Sequence, residues 1–397
     1  MLVSYKYRIY PNNTQKEIFE KHFNAMRFTW NWALSTKIKA LQVNKENLTR
    51  FQLSALLTKA KKEFPWLYEV NHQSLQAVLR HLEKAYTRFY RDKKSFPKLK
   101  QNEDIKFYEQ KGYPNFKSKK KCKSSYECIQ GVKVDLVNSL LTLPKCKNIK
   151  VKFDREYKGV IKSTVISKTK SNKYFVVLNC EFNSIKVLKP EIKRETSIAL
   201  DLGLTKFATL SNGVEIENPR YYQKLLNKLQ FMQKKLSKKV YGSNNYYKYL
   251  FNIIRLHEKI SNKRKDFLHK LSYSLTHDSQ VDTIILEDLS VQNMQSNRKL
   301  AKSISDASWS MFNEFLKYKC ERYNKNLLQI GRYEPSSKMC NHCGVINSKL
   351  RLSDRVWTCS NCNSINQRDQ NAALNILDIG LCKSNLIGRP GWSEVAC

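Results

Sequence analysis

The sequence predicts a multidomain chain that joins α+β and α/β architecture. A small β-barrel interrupted by a helical bundle precedes an α/β domain with an inserted zinc ribbon. Three observations predict this. The opening strand has no strand close behind it, so its partners must come from beyond a helical stretch. Two apolar runs, SIALDL at 197–202 and TIILE at 283–287, end in carboxylates and are separated by helical pattern, as parallel strands joined by a crossover are. Two C-x2-C motifs lie between the second run and the last helix.

Val3, Tyr5, Tyr7 and Ile9 alternate with Ser4, Lys6, Arg8 and Tyr10 until Pro11 ends the strand. Thr14 to Glu17 has the residue types of a capping box, and Phe19, Phe23, Met26, Trp30, Ala33 and Leu34 follow at helical spacing. A second helix is predicted over 51–64. A third, after Asn71, aligns Leu75, Val78, Leu79, Leu82, Tyr86 and Phe89. Three such helices can pack as a bundle with the aromatic stripe as core. Lys6, Arg8, Arg27, Arg80, Arg88 and Arg91 are candidate phosphate contacts.

From Lys93 to Lys123 the periodicity gives way to FPKLK and GYPNFKSKKK. A solvated loop and a segment following a nucleic-acid backbone through Lys117, Lys119 and Lys120 both fit. Strand patterns return over 132–143, with a turn at Asn138-Ser139, and over 149–153, 159–167 and 173–182. Several short strands in a row suggest a barrel or sandwich that the opening strand completes. Residues 185–196 read as a linker.

Ile198, Ala199 and Leu200 run into Asp201, and Gly203 permits a bend toward a second strand over 207–210. Alone, Asp201 reads more readily as a solvated strand end or turn former than as a metal ligand. The repeat of the pattern at Glu287 changes its meaning. Helical pattern over 221–236 and 245–276, broken at Tyr241-Gly242-Ser243, supplies the crossover, and parallel neighbours bring both carboxylates to one sheet edge. Asp369 opens a helix whose apolar face is Ala372, Ala373, Ile376 and Leu377, where it can be an N-cap, a third ligand, or both. Three carboxylates without histidines are hard ligands suited to Mg2+ or Mn2+, and two such ions about 4 Å apart activate water for phosphodiester hydrolysis. Further elements are expected over 309–323, a helix, and 327–333, a strand.

Cys340 and Cys343, then fifteen residues, then Cys359 and Cys362 have the spacing of a closed tetrahedral zinc site. The segment KLRLSDRVWT between them alternates like a hairpin. His342 is a spare donor beside four thiolates. The zinc is structural, since a catalytic ion needs an open position. Cys122 and Cys128 form a weaker, unliganded pair. No run approaches a membrane span, the first residues are no signal peptide, and the scattered cysteines suit a reducing compartment. The net charge of +38, from 72 Lys and Arg against 34 Asp and Glu, calls for a polyanionic partner, and 21 Tyr, 18 Phe and 6 Trp supply stacking faces. Nucleic acid fits that partner better than anionic membrane.

On YKYRIYPNNTQKEIFEKHFNAMRFTWN, GYPNFKSKKK, DLGLTKFATL, ILEDLSV, SSKMCNHCG and RDQNAALNIL, the chain resembles the TnpB family of insertion-sequence proteins, relatives of the compact type V CRISPR effectors. The resemblance implies a wedge-type β domain at 1–12 and 124–190, and a helical recognition domain at 13–123. It implies a RuvC-like nuclease domain of ribonuclease H fold at 191–337 and 366–380, a zinc finger at 338–365 and a flexible tail at 381–397. It carries Asp201, Glu287 and Asp369 over as the catalytic, Mg2+-binding triad and Cys340, Cys343, Cys359 and Cys362 as zinc ligands. The implied activity is RNA-guided DNA cleavage beside a short flanking motif, with a transposon-end guide RNA and double-stranded target DNA as partners. A monomer in a prokaryotic cytosol is expected. Asn363 and Gln367 stand where family members commonly have Gly and an acidic residue, and activity is still expected because neither belongs to the triad. A compact type V CRISPR effector, a guided DNA-binding regulator and a strand-transferring transposase are the rival readings.

Overall fold

The computed structural model describes residues 2–95, 110, 112–120, 122–182, 188–351 and 353–383. Parts of the basic segment (96–109, 111 and 121) and of the expected tail (384–397) lie outside the described residues. Two compact units divide between Ile185 and Lys186.

In the first unit β1 (Leu2–Tyr10) leads into α1 (Asn13–Asn44), α2 (Arg50–Glu63) and α3 (His72–Ser95). Six strands follow: β2 (Ser124–Cys128), β3 (Lys133–Asp135), β4 (Leu140–Leu143), β5 (Cys146–Lys152), β6 (Val160–Lys168) and β7 (Tyr174–Glu181). The sheet order is β2-β6-β7-β1-β5-β4-β3, antiparallel throughout. β1 is therefore central, with Leu2 opposite Glu181 and Ile9 opposite Val151. The predicted barrel is instead an open, half-barrel sheet, because the short strands β2 and β3 end it without pairing to each other. Tyr5, Tyr7 and Ile9 point into one core shared with Phe19, Phe23 and Leu79 of the helices, so the helices cover what a closed barrel would enclose.

Two local readings change. The capping box of α1 uses Asn12 and Gln15, not Thr14 and Glu17: the Gln15 N–H donates to Asn12 Oδ1 at 2.8 Å and the Asn12 N–H to Gln15 Oε1 at 2.9 Å. β2 was not expected, since SSYEC is polar and only Tyr126 and Cys128 turn inward. Cys128 lies beside Ser74 and Asn71, unpaired with Cys122.

The second unit contains β8 (Ser197–Leu202), β9 (Lys206–Leu210), β10 (Glu215–Glu217), α4 (Tyr221–Ser237), α5 (Asn244–His277) and β11 (Thr283–Glu287). It continues with α6 (Val291–Met294), α7 (Ala301–Ala307), α8 (Trp309–Arg322), β12 (Asn326–Ile330), β13 (Val356–Thr358), β14 (Ile365–Gln367) and α9 (Arg368–Cys382). Its main sheet has the order β10-β9-β8-β11-β12, with β8, β11 and β12 parallel and β9 and β10 antiparallel. The crossover through α4 and α5 delivers the parallel neighbour that the two apolar runs imply. α6, α7 and β10 add short elements absent from the sequence reading. Among the described residues the KLRLSDRVWT segment forms no hairpin of its own: β13 pairs with β14, across the second C-x2-C. Leu381 and Cys382, placed in the tail by the sequence reading, belong to α9 and are buried.

Candidate functional site

β8 and β11 pair with Leu200 opposite Leu286, so the next residues, Asp201 and Glu287, emerge at one sheet edge. α9 lies against these strands through Ile376, Leu377 and Ile379, packed with Ala199, Ile285 and Ile330. A Cβ on Gly380 would stand 2.5 Å from Ile285 Cγ2, so glycine is what lets helix and strand approach this closely. Asp369 sits in the first turn of α9 but is not its N-cap; that position is Gln367, without a side-chain cap.

Burial raises the Asp201 carboxyl from 3.8 to about 7, repulsion from Glu287 and then Asp369 adds to the shift, and Arg368 and Arg355 oppose it. Burial also raises Glu287, with Asp288 contributing. Asp201 is thus within electrostatic reach of both other acids. Their oxygens do not converge as closely as the cysteine sulfurs below do, which among the described residues form the tight ligand group. Asp369 is instead turned to Arg355, whose Nη1 donates to its two oxygens at 3.2 and 3.3 Å while Nη2 reaches Thr205 Oγ1 at 3.4 Å. Nothing in the sequence marked Arg355, one arginine in a strongly basic chain.

The sulfurs of Cys340, Cys343, Cys359 and Cys362 lie within 4.8 Å of one another, with Cys340 to Cys362 at 3.6 Å and Cys343 to Cys359 at 3.5 Å. Four sulfurs each 2.3 Å from one tetrahedral ion would stand about 3.8 Å apart, so the donor set fits a metal. A hydrogen bond from Ser364 leads the causes that lower the Cys362 thiol to about 6, whereas burial raises that of Cys359 to about 11, so the donor geometry and not the acidity of the thiols carries the fit. Each C-x2-C loop closes on a residue of positive φ, Gly344 at 76° and Asn363 at 56°. Asparagine tolerates this left-handed region, which accounts for Asn363 where glycine is common.

A polar seam ties this insert to α9. Asn371 and Asn375 donate to the Met339 carbonyl at 2.7 and 2.6 Å, and Asn341 donates to Asn375 Oδ1 at 3.1 Å and Asp378 Oδ2 at 2.8 Å. Buried Asp378 also pairs with Arg194. The helix carrying Asp369 and the loop carrying Cys340 are therefore held as one piece. The i, i+4 and i+7 spacing of Asn371, Asn375 and Asp378 is the signal in the sequence for this polar face of α9, beside its apolar one.

The basic candidates are in varied settings. Lys6 and Arg8 lie over the Phe175 ring, Arg80 approaches Glu127 at 3.7 Å, and Arg91 pairs with Asp92. Lys117 lies 3.6 Å over Trp30, and burial holds its ammonium below the usual lysine value. Arg88, Lys119 and Lys120 are exposed, and Arg27 lines a cavity.

Fold and site together define a two-unit protein with an acidic sheet edge braced by a four-cysteine metal-binding insert. A family profile described as "Probable transposase" (OrfB_IS605) matches residues 177–298, a Cas12f1-like TNB domain profile matches 309–376, and a helix-turn-helix profile matches 1–46. A Streptomyces pristinaespiralis protein provisionally named an RNA-guided DNA endonuclease is 35% identical over 386 residues, covering 96% of this chain and 90% of that protein. InsQ of Escherichia coli (strain K12), with the same provisional name, is 29% identical over 399 residues, covering 96% and 92%. A cryo-EM structure of a Cas12f1-sgRNA-target DNA complex matches at TM-score 0.49 and 14% identity, over 95% of this chain and 98% of that one. The chain belongs to the TnpB family of insertion-sequence proteins. In the helix-turn-helix match, the described residues form β1 and the unbroken 32-residue helix α1, with no turn between two helices. No described helix is long and apolar enough to cross a membrane.

Proposed function

We propose that this chain is an RNA-guided DNA endonuclease carried by an insertion sequence. A transposon-derived guide RNA selects the DNA by pairing, and the protein holds the heteroduplex by charge and shape while reading a short flanking motif. In this reading residues 1–12 and 124–190 form the wedge-type domain, 13–123 the recognition domain, 191–337 and 366–380 the RuvC-like nuclease, and 338–365 the finger. Asp201, Glu287 and Asp369 hold two Mg2+ or Mn2+ ions, and Cys340, Cys343, Cys359 and Cys362 one structural zinc. Divalent ions at the acidic edge supply water activation and leaving-oxygen stabilisation for phosphodiester hydrolysis.

The observation that carries this reading is the state of Asp201. Its carboxyl is driven up to about 7 by burial and by acids from two other elements. Crowded negative charge at the end of parallel strands is what bound cations relieve, and perturbed groups of this kind gather at functional sites. The chain's own cations are placed around it: Arg355 orients Asp369, and Arg368 lowers the Asp201 carboxyl. The Asn371–Asn375 seam fixes the helix from which Asp369 projects.

Incubating the chain and its co-purified RNA with target plasmid and Mg2+ tests the reading. The wild type should cut, and Asp201→Ala should lower cutting more than about 10^3-fold while target binding stays within about twofold. Cutting by Asp201→Ala at the wild-type rate contradicts the assignment. A wild type that binds its target and never cuts would be a guided regulator instead.

A further inference from the structure

In the first unit, far along the sequence from the carboxylates, a cavity of about 550 Å3 opens beside α1. Phe28, Trp32, Phe64 and Phe116 line it together with Arg27 and Lys39, and among the described residues no acidic side chain does. Its volume falls in the range of small-ligand sites, and its composition, aromatic faces with two cations, is what a base and its phosphate require. Arg27 and Lys39 lie about 18 Å apart along the helix, from twelve residues at 1.5 Å rise, so the two cations border the cavity at well-separated points.

Phe116 makes this more than a hollow. Its ring is 58% exposed, yet the backbone on either side is pinned. Trp30 Nε1 donates to the Asn115 carbonyl at 2.9 Å, while Asn31 exchanges two hydrogen bonds with the Lys117 backbone at 2.8 and 2.9 Å. Tyr113, just upstream, shares a 2.6 Å hydrogen bond with Tyr86 of α3. Two other lining rings are also packed: Phe28 meets Phe64 edge-on at 4.9 Å between centroids, and Trp66 behind it at 5.1 Å. Large aromatic rings held in place lose little freedom when they stack, so a partner with a flat face is favoured at low entropic cost.

We propose that this pocket is a stacking site for one or two unpaired nucleotides, with bases against Phe116 and Trp32 and phosphates on Arg27 and Lys39. It shares with the proposed function only the premise of a nucleic-acid partner. Neither the carboxylates nor the cysteines take part.

The probe is octauridylate carrying 5-iodouridine, with the matching deoxy-oligomer and an eight-base-pair duplex alongside, applied to the full chain at about 0.5 M salt, where binding through phosphates alone is weakened. Ultraviolet crosslinks from the single strands should map to peptides containing Trp32 or Phe116, and the duplex should give none there. Phe116→Ala removes an exposed ring, so its Tm should match the wild type. Its affinity for the single strand should fall about 5- to 150-fold, and Phe116→Trp should restore it. Whichever oligomer binds more tightly, ribo or deoxy, names the strand. Crosslinks confined to other peptides, or Phe116→Ala and Arg27→Ala both binding at wild-type affinity, would overturn the proposal. Asp201→Ala should bind the octamer normally, so loss of the cleavage reading and loss of this one are separable.

Discussion

Near the end of β8 Asp201 is half-buried, and desolvation, followed by repulsion from Glu287 and Asp369, pushes its carboxyl up to about 7. In the unfolded chain the same group titrates near 3.8. Between those values the folded protein holds a proton that the unfolded chain has released, so this group makes stability fall as pH rises through the window. Below it the penalty is absent; above it the penalty is complete. Asp201→Asn should therefore match the wild-type stability near pH 4 and exceed it by about 2–4 kcal/mol near pH 8, in buffer free of Mg2+ and Mn2+. Thermal unfolding at the two pH values checks this, and an equal gap at both would contradict it. The sequence showed the acids because each follows an apolar run or opens a helix. Arg355 stayed hidden because its meaning comes only from contacts with Asp369 and Thr205, remote in numbering.

Among the elements, α9 decides whether the third acid reaches the edge. Its approach to β11 depends on Gly380, where an added methyl meets buried Ile285. Gly380→Ala should cost about 1–3 kcal/mol by overpacking and lower cleavage as Asp369 shifts. Denaturant unfolding measures the first effect, and a variant as stable as the wild type would show that the helix is not seated so closely. The length and apolar face of α9 were readable from periodicity. Its seam to the cysteine insert was not, since Asn371 and Asn375 satisfy carbonyls of Ser336 and Met339 in a loop that the sequence alone does not position. The same limit explains the misplaced hairpin: alternation in KLRLSDRVWT marks a strand, but not that β13 pairs with β14 beyond the second cysteine pair. β2 and β10 escaped because short polar strands carry too little alternation to read.

For the whole molecule, a central opening strand and a long crossover put distant segments side by side. The orphan strand and the two acid-ended runs signalled both long-range pairings. That the first sheet stays open follows from its short end strands and from the helices sharing its core, which no local pattern reveals. The proposal that residues 201, 287 and 369 form one cation site is likewise a statement about the assembled second unit. Anomalous diffraction from crystals of the full chain soaked in Mn2+ tests it most directly, with zinc at the four cysteines as an internal reference. The account predicts manganese peaks bound by oxygens of Asp201, Glu287 and Asp369, two of them about 4 Å apart, and their loss in Asp201→Ala. A clear zinc peak with no manganese at that sheet edge would contradict it.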